Sequence, residues 1–218
     1  MHFGGMLENT VSPAEIFTQK LKNTRLDCRD GENSEMDRQA VIDATRRWIS
    51  SVVIELNLCP FARRVFEAET IRYVVSDSTD EAALLHELAD EIMLIVRTPV
   101  SAIETTFLIH PQVLSDFLDY NDFLDAADDL IDRLGQRGVV QLASFHPDYQ
   151  FAETDPEAVE NYTNRSPYPM LHLLREESVS AVNTNPDEML EIPRRNIETL
   201  RGLGLEAMRQ KLRDARGK

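Results

Sequence analysis

The sequence predicts an α/β fold with a small, mostly parallel sheet, βαβ crossovers and flanking helices. Three segments rich in β-branched and aromatic residues are typical of strands, namely 70–78, 105–111 and 139–147. The two segments between them carry apolar residues at helical spacing. Crossovers of this length can join parallel strands. A ferredoxin-like α+β arrangement is the alternative, and an additional antiparallel strand within 150–186 is compatible with either.

Helical patterns precede the first strand. Apolar residues at helical spacing predict a helix over roughly 37–57, with Ser34 as its candidate cap. Pro60 is expected to open a second helix at its first position. This places Cys59 at the cap, where free backbone N–H groups favour a thiolate.

Two further helices are predicted between the strands. Ser78 or Thr79 is the expected cap of the first, and Pro111 is expected to open the second. The second helix carries a row of aspartates opposite its apolar face, which indicates a solvated surface.

Length and composition predict one domain with extensions. The chain has 218 residues, a length typical of one domain. We assign residues 1–33 to an N-terminal extension or linker, residues 34–192 to a single α/β domain, and residues 193–218 to a basic helical tail. That tail carries eight Lys and Arg residues from 194 onward, against three acidic ones.

The charge and the cysteine usage exclude several classes of protein. The protein is acidic, with a formal net charge of −15, which argues against nucleic-acid binding. No run of about 18 apolar residues is present, so we expect no membrane span. The start has no secretory signal pattern, and two cysteines are too few for a disulfide framework. We therefore expect a cytoplasmic protein.

Two of the predicted strands end alike, in "LIHP" and "SFHP". If the strands are parallel, His110 and His146 both lie at their carboxyl ends. Ligands bind at this edge in open α/β sheets. The sequence therefore predicts a functional pocket at the carboxyl edge.

The segment 160–178, "ENYTNRSPYPMLHLLREES", follows the second of these histidines. Pro169 is expected to begin a helix, because proline is favoured at the first helical position. His172 and Glu176 would then share a helix face, with Arg175 beside it. Arg165 precedes this helix, and the two arginines could converge on a carboxylate or phosphate.

These residues favour an enzyme that acts on an anionic small molecule. Cys59 is the candidate nucleophile and His146 the candidate base, with His172 as a third catalytic residue. Arg165 and Arg175 would bind the substrate. Further substrate contacts are expected from polar residues nearby, namely Tyr149, Asn164, Ser166 and Tyr168.

Three other interpretations remain open. Cys59, His146 and His172 are chemically adequate metal ligands, with Glu176 or Asp148 supporting them. A non-catalytic module could bind an anion or an acidic partner segment. Alternatively, the polar residues of 160–178 cap backbone groups of an irregular segment. No nucleotide-binding motif is present, and neither the cofactor nor the oligomeric state is predicted.

Four motifs carry a resemblance to a known family. "LNLCPFARR", "TTFLIHP", "QLASFHPDYQFA" and "ENYTNRSPYPMLHLLREES" occur in this order within roughly residues 38–185. Together they resemble the uncharacterised bacterial family numbered 1415 among domains of unknown function. The resemblance implies one compact domain and no particular chemistry.

Overall fold

We describe the fold from a computed structural model of the chain. It describes residues 31–182 and 186–217, without the side chains of 31–37, 182 and 186–190. The predicted extension therefore lies almost wholly outside the described residues. The chain divides into two units at Asp37, and the site lies in the second, residues 38–218.

Helices alternate with four strands along the described chain. The strands are β1 (Ile71–Val75), β2 (Thr105–Ile109), β3 (Val140–Phe145) and β4 (Met170–Arg175). The helices are α1 (Gly31–Trp48), α2 (Ala62–Glu67), α3 (Glu81–Arg97), α4 (Phe117–Arg133), α5 (Glu176–Val182), α6 (Pro186–Leu203) and α7 (Leu205–Arg216). A π-helical segment, Ile49–Ile54, continues α1, and a 3-10 turn spans Val159–Thr163.

The predicted α/β class is confirmed, and the sheet is mixed. Its order is β1-β2-β4-β3. β1 pairs with β2 in parallel, whereas β4 is antiparallel to both β2 and β3. β1, β2 and β3 therefore run in one direction, and β4 runs against them. The order of elements differs from the βαββαβ order of a ferredoxin-like fold.

The helix predicted from Pro169 is wrong, because this segment forms the central strand β4. His172 pairs with Phe107 on one side and with Ala143 on the other. Glu176 opens the short helix α5, so His172 and Glu176 share no helix face. Pairing on both sides of β4 outweighs the helical preference of its leucines.

Four helix starts differ from the prediction. The helix α2 begins at Ala62 and not at Pro60. The helix α1 begins at Gly31, ahead of Ser34. The cap of α3 is Asp80, whose side chain accepts a hydrogen bond from the backbone of Ala83. Asp116 caps α4, which therefore starts at Phe117 and leaves the residues from Pro111 as a loop. In α3 and α4 an aspartate is the cap because its carboxylate can accept from free N–H groups of the first turn.

The two faces of the sheet are covered by different helices. One face carries Leu108, Leu171 and Leu173, which pack against α3 and α4 in a fully buried cluster. We call it the closed face. The opposite face carries Phe107, Phe145 and Met170; we call it the cavity face. It is covered by α1, the π-helical segment, α6 and α7.

The carboxyl-terminal helices contribute to the core under the cavity face. Leu200 of α6 and Met208 and Ala215 of α7 are buried there. The domain boundaries drawn from the sequence stay a prediction. Among the described residues no helix is both long and apolar enough to cross a membrane.

Candidate functional site

A cavity of about 270 Å³ lies between the cavity face of the sheet and the helices that cover it. Most of the strand residues that line it point to one face of the sheet: Ile71 from β1, Thr105 and Phe107 from β2, Gln141, Ala143 and Phe145 from β3, and His172 and Leu174 from β4. Arg175, the last residue of β4, also lines one end. The other walls include Trp48, Ile49, Val53, Leu58, Cys59, Pro60, Phe61, Ala62 and Val65. The lining is therefore mainly apolar.

Aromatic rings form much of the wall. Trp48 meets Phe145 edge-on, with ring centroids 5.2 Å apart. It also meets Phe107 edge-on, at 6.4 Å. Edge-to-face contacts of this kind are favoured between aromatic rings and hold the rings of the wall in place. Ala143, the cross-strand partner of His172, adds only a methyl group at this point.

His172 stands in the middle of β4 and lines the cavity. Its ring stacks on Phe107, with centroids 3.8 Å apart and planes 8° from parallel. Nε2 is hydrogen-bonded to the hydroxyl of Thr105. Burial lowers the pKa of His172 to about 3, so the imidazole is neutral at neutral pH.

Cys59 lines the same cavity as a free, half-buried thiol. Burial raises the pKa of this thiol, and the backbone N–H groups of Phe61 and Ala62 offset only part of the effect. Cys59 is not the helix cap, because a turn at Pro60 and Phe61 intervenes before α2. Cys59 is therefore a protonated thiol at neutral pH.

A charged pair marks the polar end of the cavity. Arg64 of α2 donates two hydrogen bonds to the carboxylate of Glu104, one of them at 2.8 Å. The hydrogen bonds from Arg64 are the main reason that the pKa of Glu104 is lowered. Glu104 and Ser178 line both the cavity and an open hollow on the surface that Arg64 also lines. The pair therefore lies between the cavity and solvent.

The carboxyl edge of the sheet does carry both expected histidines, but each is bound to a loop carbonyl. His110 Nδ1 donates to Val113 at 3.0 Å, and His146 Nε2 donates to Leu114 at 3.2 Å. Both side chains are fully buried. Burial lowers the pKa of His110 to about 4 and also lowers that of His146. The two neutral rings hold the loop before α4.

The structure does not bring Cys59 and His146 together. The ring of His146 packs against Phe117 and Tyr120 of α4, on the closed face. Cys59 lies across the sheet on the cavity face. The expected nucleophile and base are separated because His146 follows Phe145 on β3, and adjacent strand residues point to opposite faces. His172, not His146, shares the cavity with Cys59.

The two arginines expected to converge lie at opposite ends of β3. Arg165 forms an isolated bridge with His146, whereas Arg175 pairs with Val140. The rise of a strand puts these positions roughly 20 Å apart. Arg165 donates to the carbonyls of Tyr149 and Pro156.

Arg175 ties the last turn of α3 to the end of β4. It donates to the carbonyls of Ile95, Thr98 and Ile103. It also lines the polar end of the cavity. Both arginines thus donate hydrogen bonds to backbone carbonyls. This is the arrangement expected if the polar residues of 160–178 have a structural role.

The other polar residues of this segment also bond to the backbone. Asn164 donates from its side chain to Ser144 at 3.0 Å, and the Ser166 hydroxyl donates to Tyr168 at 2.6 Å. Tyr149 packs its ring on Phe117 and Phe151. None of these residues lines the cavity, and a role for them in substrate binding stays a prediction.

The expected metal ligands do not form one cluster. Cys59 and His172 line the cavity, while His146 lies on the other face. Asp148 donates its backbone N–H to His146 Nδ1. Across residues 31–182 and 186–217, no group of three or more His, Cys, Asp or Glu side chains is arranged to hold a metal ion.

Several residues at the cavity carry no signal in the sequence alone. Thr105 and Gln141 read as ordinary strand residues, and Trp48 reads as helix core. Glu104 precedes a strand and has no motif around it. Because side chains alternate along a strand, Thr105 and Phe107 point to one face of β2, and Gln141 and Ala143 point to one face of β3. That these are the same face of the sheet becomes clear only when β4 is placed between the two strands.

One family matches the chain. Its model, described as "Protein of unknown function (DUF1415)", matches residues 40–210. The match thus extends past residue 185, where the resemblance read from the motifs stops, into the predicted basic tail. No curated protein and no solved structure matches the chain.

Proposed function

The chain belongs to this family of unknown function, and we propose that it binds one small, largely apolar organic molecule in the cavity on the sheet. The observation that carries the proposal is the partly enclosed cavity of about 270 Å³ with apolar and aromatic walls. An apolar cavity of about 150 Å³ is enough for benzene. By that measure, this cavity suits a compound of about ten non-hydrogen atoms.

The close packing of protein interiors supports this interpretation. Natural interiors have few voids larger than a water molecule. A cavity of about 270 Å³ beside the core is therefore unusual, and a bound molecule would supply the contacts that its walls lack.

The route into the cavity is the second support. The hollow outside Glu104 is open to solvent, and Glu104 belongs to both spaces. The side chain of Arg64 is 52% exposed, whereas that of Glu104 is 7% exposed. Rotation of the exposed arginine opens the entrance without disturbing the core.

Protonation favours binding over nucleophilic catalysis. Burial raises the pKa of Cys59 and lowers that of His172, so both groups are neutral. A thiolate and an imidazolium are the forms that thiol catalysis uses. Nε and Nη2 of Arg175 are held by three backbone carbonyls, so only part of this guanidinium is left for an anion. These features favour a neutral ligand over the anionic substrate predicted from the sequence.

The proposal can be tested by filling the cavity with a larger side chain on the sheet. Ala143→Leu adds three carbons on the cavity face, and Ala82→Leu makes the same change at an exposed position of α3. We expect wild type and Ala82→Leu to bind at least one of indole, benzothiophene and 1-methylindole in saturable 1:1 fashion. Ala143→Leu should weaken binding more than tenfold. Isothermal titration calorimetry measures all three proteins.

Circular dichroism confirms that each variant is folded before titration. If Ala143→Leu is not folded, Leu174→Phe fills the same space from β4. Absence of saturable binding by wild type would contradict the proposal. Equal binding by the filled variant and wild type would also contradict it, because the compounds would then bind elsewhere.

A further inference from the structure

We infer that the ligand is a neutral aromatic compound whose N–H or O–H group donates a hydrogen bond to Nδ1 of His172. The inference rests on the proposed binding function and specifies the chemical class of the ligand. Indoles and phenols of about ten non-hydrogen atoms are members of this class.

The hydrogen bonds of Thr105 fix the tautomer of His172. The Thr105 hydroxyl donates to the carbonyl of Leu173 at 2.7 Å. A hydroxyl has one proton, so its oxygen can only accept from the histidine. His172 therefore carries its proton on Nε2, which donates to Thr105. In the neutral ring, Nδ1 is then a bare acceptor.

No described residue donates a hydrogen bond to this acceptor. The fully buried side-chain polar atoms that lack a partner belong, among the described residues, to Trp48, Tyr73, Glu87, Thr106, His110 and Asn196. Nδ1 of His172 is not one of them, and His172 lines the cavity and is half-buried. The cavity therefore reaches this atom, and a ligand there meets a lone pair.

The position of that lone pair is rigid. The histidine ring lies flat on Phe107 at 3.8 Å, and its other nitrogen is bonded to a buried threonine. Because the histidine ring is already held in place, little of its conformational freedom is lost when a ligand binds. The ring therefore favours ligands whose donor lies at one fixed position. His172 thus acts as a recognition residue.

The charge of the ligand follows from its surroundings. A deprotonated group such as a carboxylate has no proton to donate to Nδ1 and would meet the lone pair unfavourably. A cation would have to leave water for an apolar space, at a high cost, while the nearest carboxylate, Glu104, is already paired with Arg64. A neutral donor avoids both penalties.

The walls favour a planar ring. Trp48, Phe61, Phe107 and Phe145 all line the cavity. Aromatic pairs prefer stacked and edge-to-face arrangements, which a flat ligand can make with several of these side chains at once. Gln141 lines the same space and offers an amide to a second polar group.

The experiment compares indole with benzothiophene, two rings of nearly equal shape of which only indole has an N–H donor. Isothermal titration calorimetry on wild type should show indole binding about fivefold to tenfold more tightly, which is the effect of one hydrogen bond. In His172→Phe, which keeps the stacked ring and removes the acceptor, the ratio should fall to about one.

A second measurement needs no variant. In ¹⁵N-labelled protein, long-range ¹H–¹⁵N spectra should show the Nε2–H tautomer of His172. Indole should shift the Nδ1 resonance towards lower frequency, and benzothiophene should leave it almost unchanged. A merely structural histidine would not respond to the donor in this way.

The outcomes separate the two proposals. Equal affinity of wild type for the two rings overturns the inference and leaves the binding function standing. A preference for indole that survives in His172→Phe, or an Nδ1 resonance unmoved by bound indole, also overturns it. Binding of neither ring overturns the inference, and if 1-methylindole does not bind either, the proposed function fails with it.

Discussion

The closed face and the cavity face of the same sheet are packed by different rules. The closed face joins aliphatic side chains such as Leu84, Leu108 and Leu171, each without exposed surface. The cavity face joins rigid rings around a small alanine and leaves about 270 Å³ between them. Aromatic rings occur on both faces, since Tyr120 and Phe123 belong to the closed-face cluster, but there they pack with long aliphatic side chains of α3 and of the sheet in a close-packed core. With the proposed function, the closed face would supply stability and the cavity face would bind the ligand.

Two neighbouring leucines of β4 should differ strongly in their contribution to stability. Leu173 is fully buried in the closed face, and Leu174 lines the cavity. Leu173→Ala should lower the free energy of unfolding by about 2–5 kcal/mol, the range for buried leucines. Leu174→Ala should cost about 1 kcal/mol, because that side chain already borders empty space. Urea denaturation measures the free energy of unfolding of both variants, and equal losses would show that the two faces are packed equally tightly.

The next effect concerns Tyr120, which lies on the closed face. Its hydroxyl donates to the carbonyl of Met170 at 2.9 Å and accepts from the backbone N–H of Phe145 at 3.0 Å. Tyr120→Phe should lower the free energy of unfolding by about 1–3 kcal/mol, because two buried backbone groups lose their partner.

The control for this prediction is Tyr149→Phe. The hydroxyl of Tyr149 has no hydrogen bond to a described residue, so its loss should change the free energy of unfolding by less than about 0.5 kcal/mol. Thermal or urea unfolding distinguishes the two variants. Similar losses from both would show that the Tyr120 hydroxyl is not an important link on this face.

The smallest effect is on reactivity and not on stability. Because burial raises the pKa of Cys59, its thiolate fraction at pH 7.5 is lower than that of a free cysteine, whose pKa is about 8.5. Alkylation by iodoacetamide in a Cys28→Ser background should therefore be slow and should still rise above pH 8.5. Mass spectrometry at several pH values measures the rate.

A histidine variant sharpens this last prediction. His146 lies on the closed face, so His146→Gln should leave the pH dependence of alkylation unchanged. A rate that levels off below pH 8 would contradict the raised pKa. A rate that depends on His146 would restore the pairing predicted from the sequence.

Much of the fold was predictable because three strands follow local rules. The segments around Ile71–Val75, Thr105–Ile109 and Val140–Phe145 are rich in β-branched and aromatic residues. The fourth strand, "MLHLLR", contains no β-branched residue and follows Pro169. Its local signals favour a helix, and only pairing with strands far away in the sequence makes it a strand. The residues of this segment do not by themselves indicate which distant strands it pairs with.

The candidate site was predictable in part. Cys59 and His172 were selected from the sequence, and both line the cavity. The selection of His172 assumed a helix, whereas its position follows from the alternation of β4. His110 and His146 were expected at a ligand-binding edge, yet they bond to the loop at Val113 and Leu114. Whether a histidine faces a ligand or a carbonyl depends on loop geometry that residue spacing does not encode.

The sheet order has a consequence for how the chain is made. Among the described strands, β3 pairs with β4 alone, and β4 inserts between β2 and β3. During synthesis, the edges of β2 and β3 that β4 will pair therefore stay free until residue 175, the end of β4, has emerged. Unpaired edges invite association between nascent chains. Among the described strands, the last to be translated is thus the one that joins β3 to the rest of the sheet, so the sheet cannot be completed from the amino-terminal half of the chain alone.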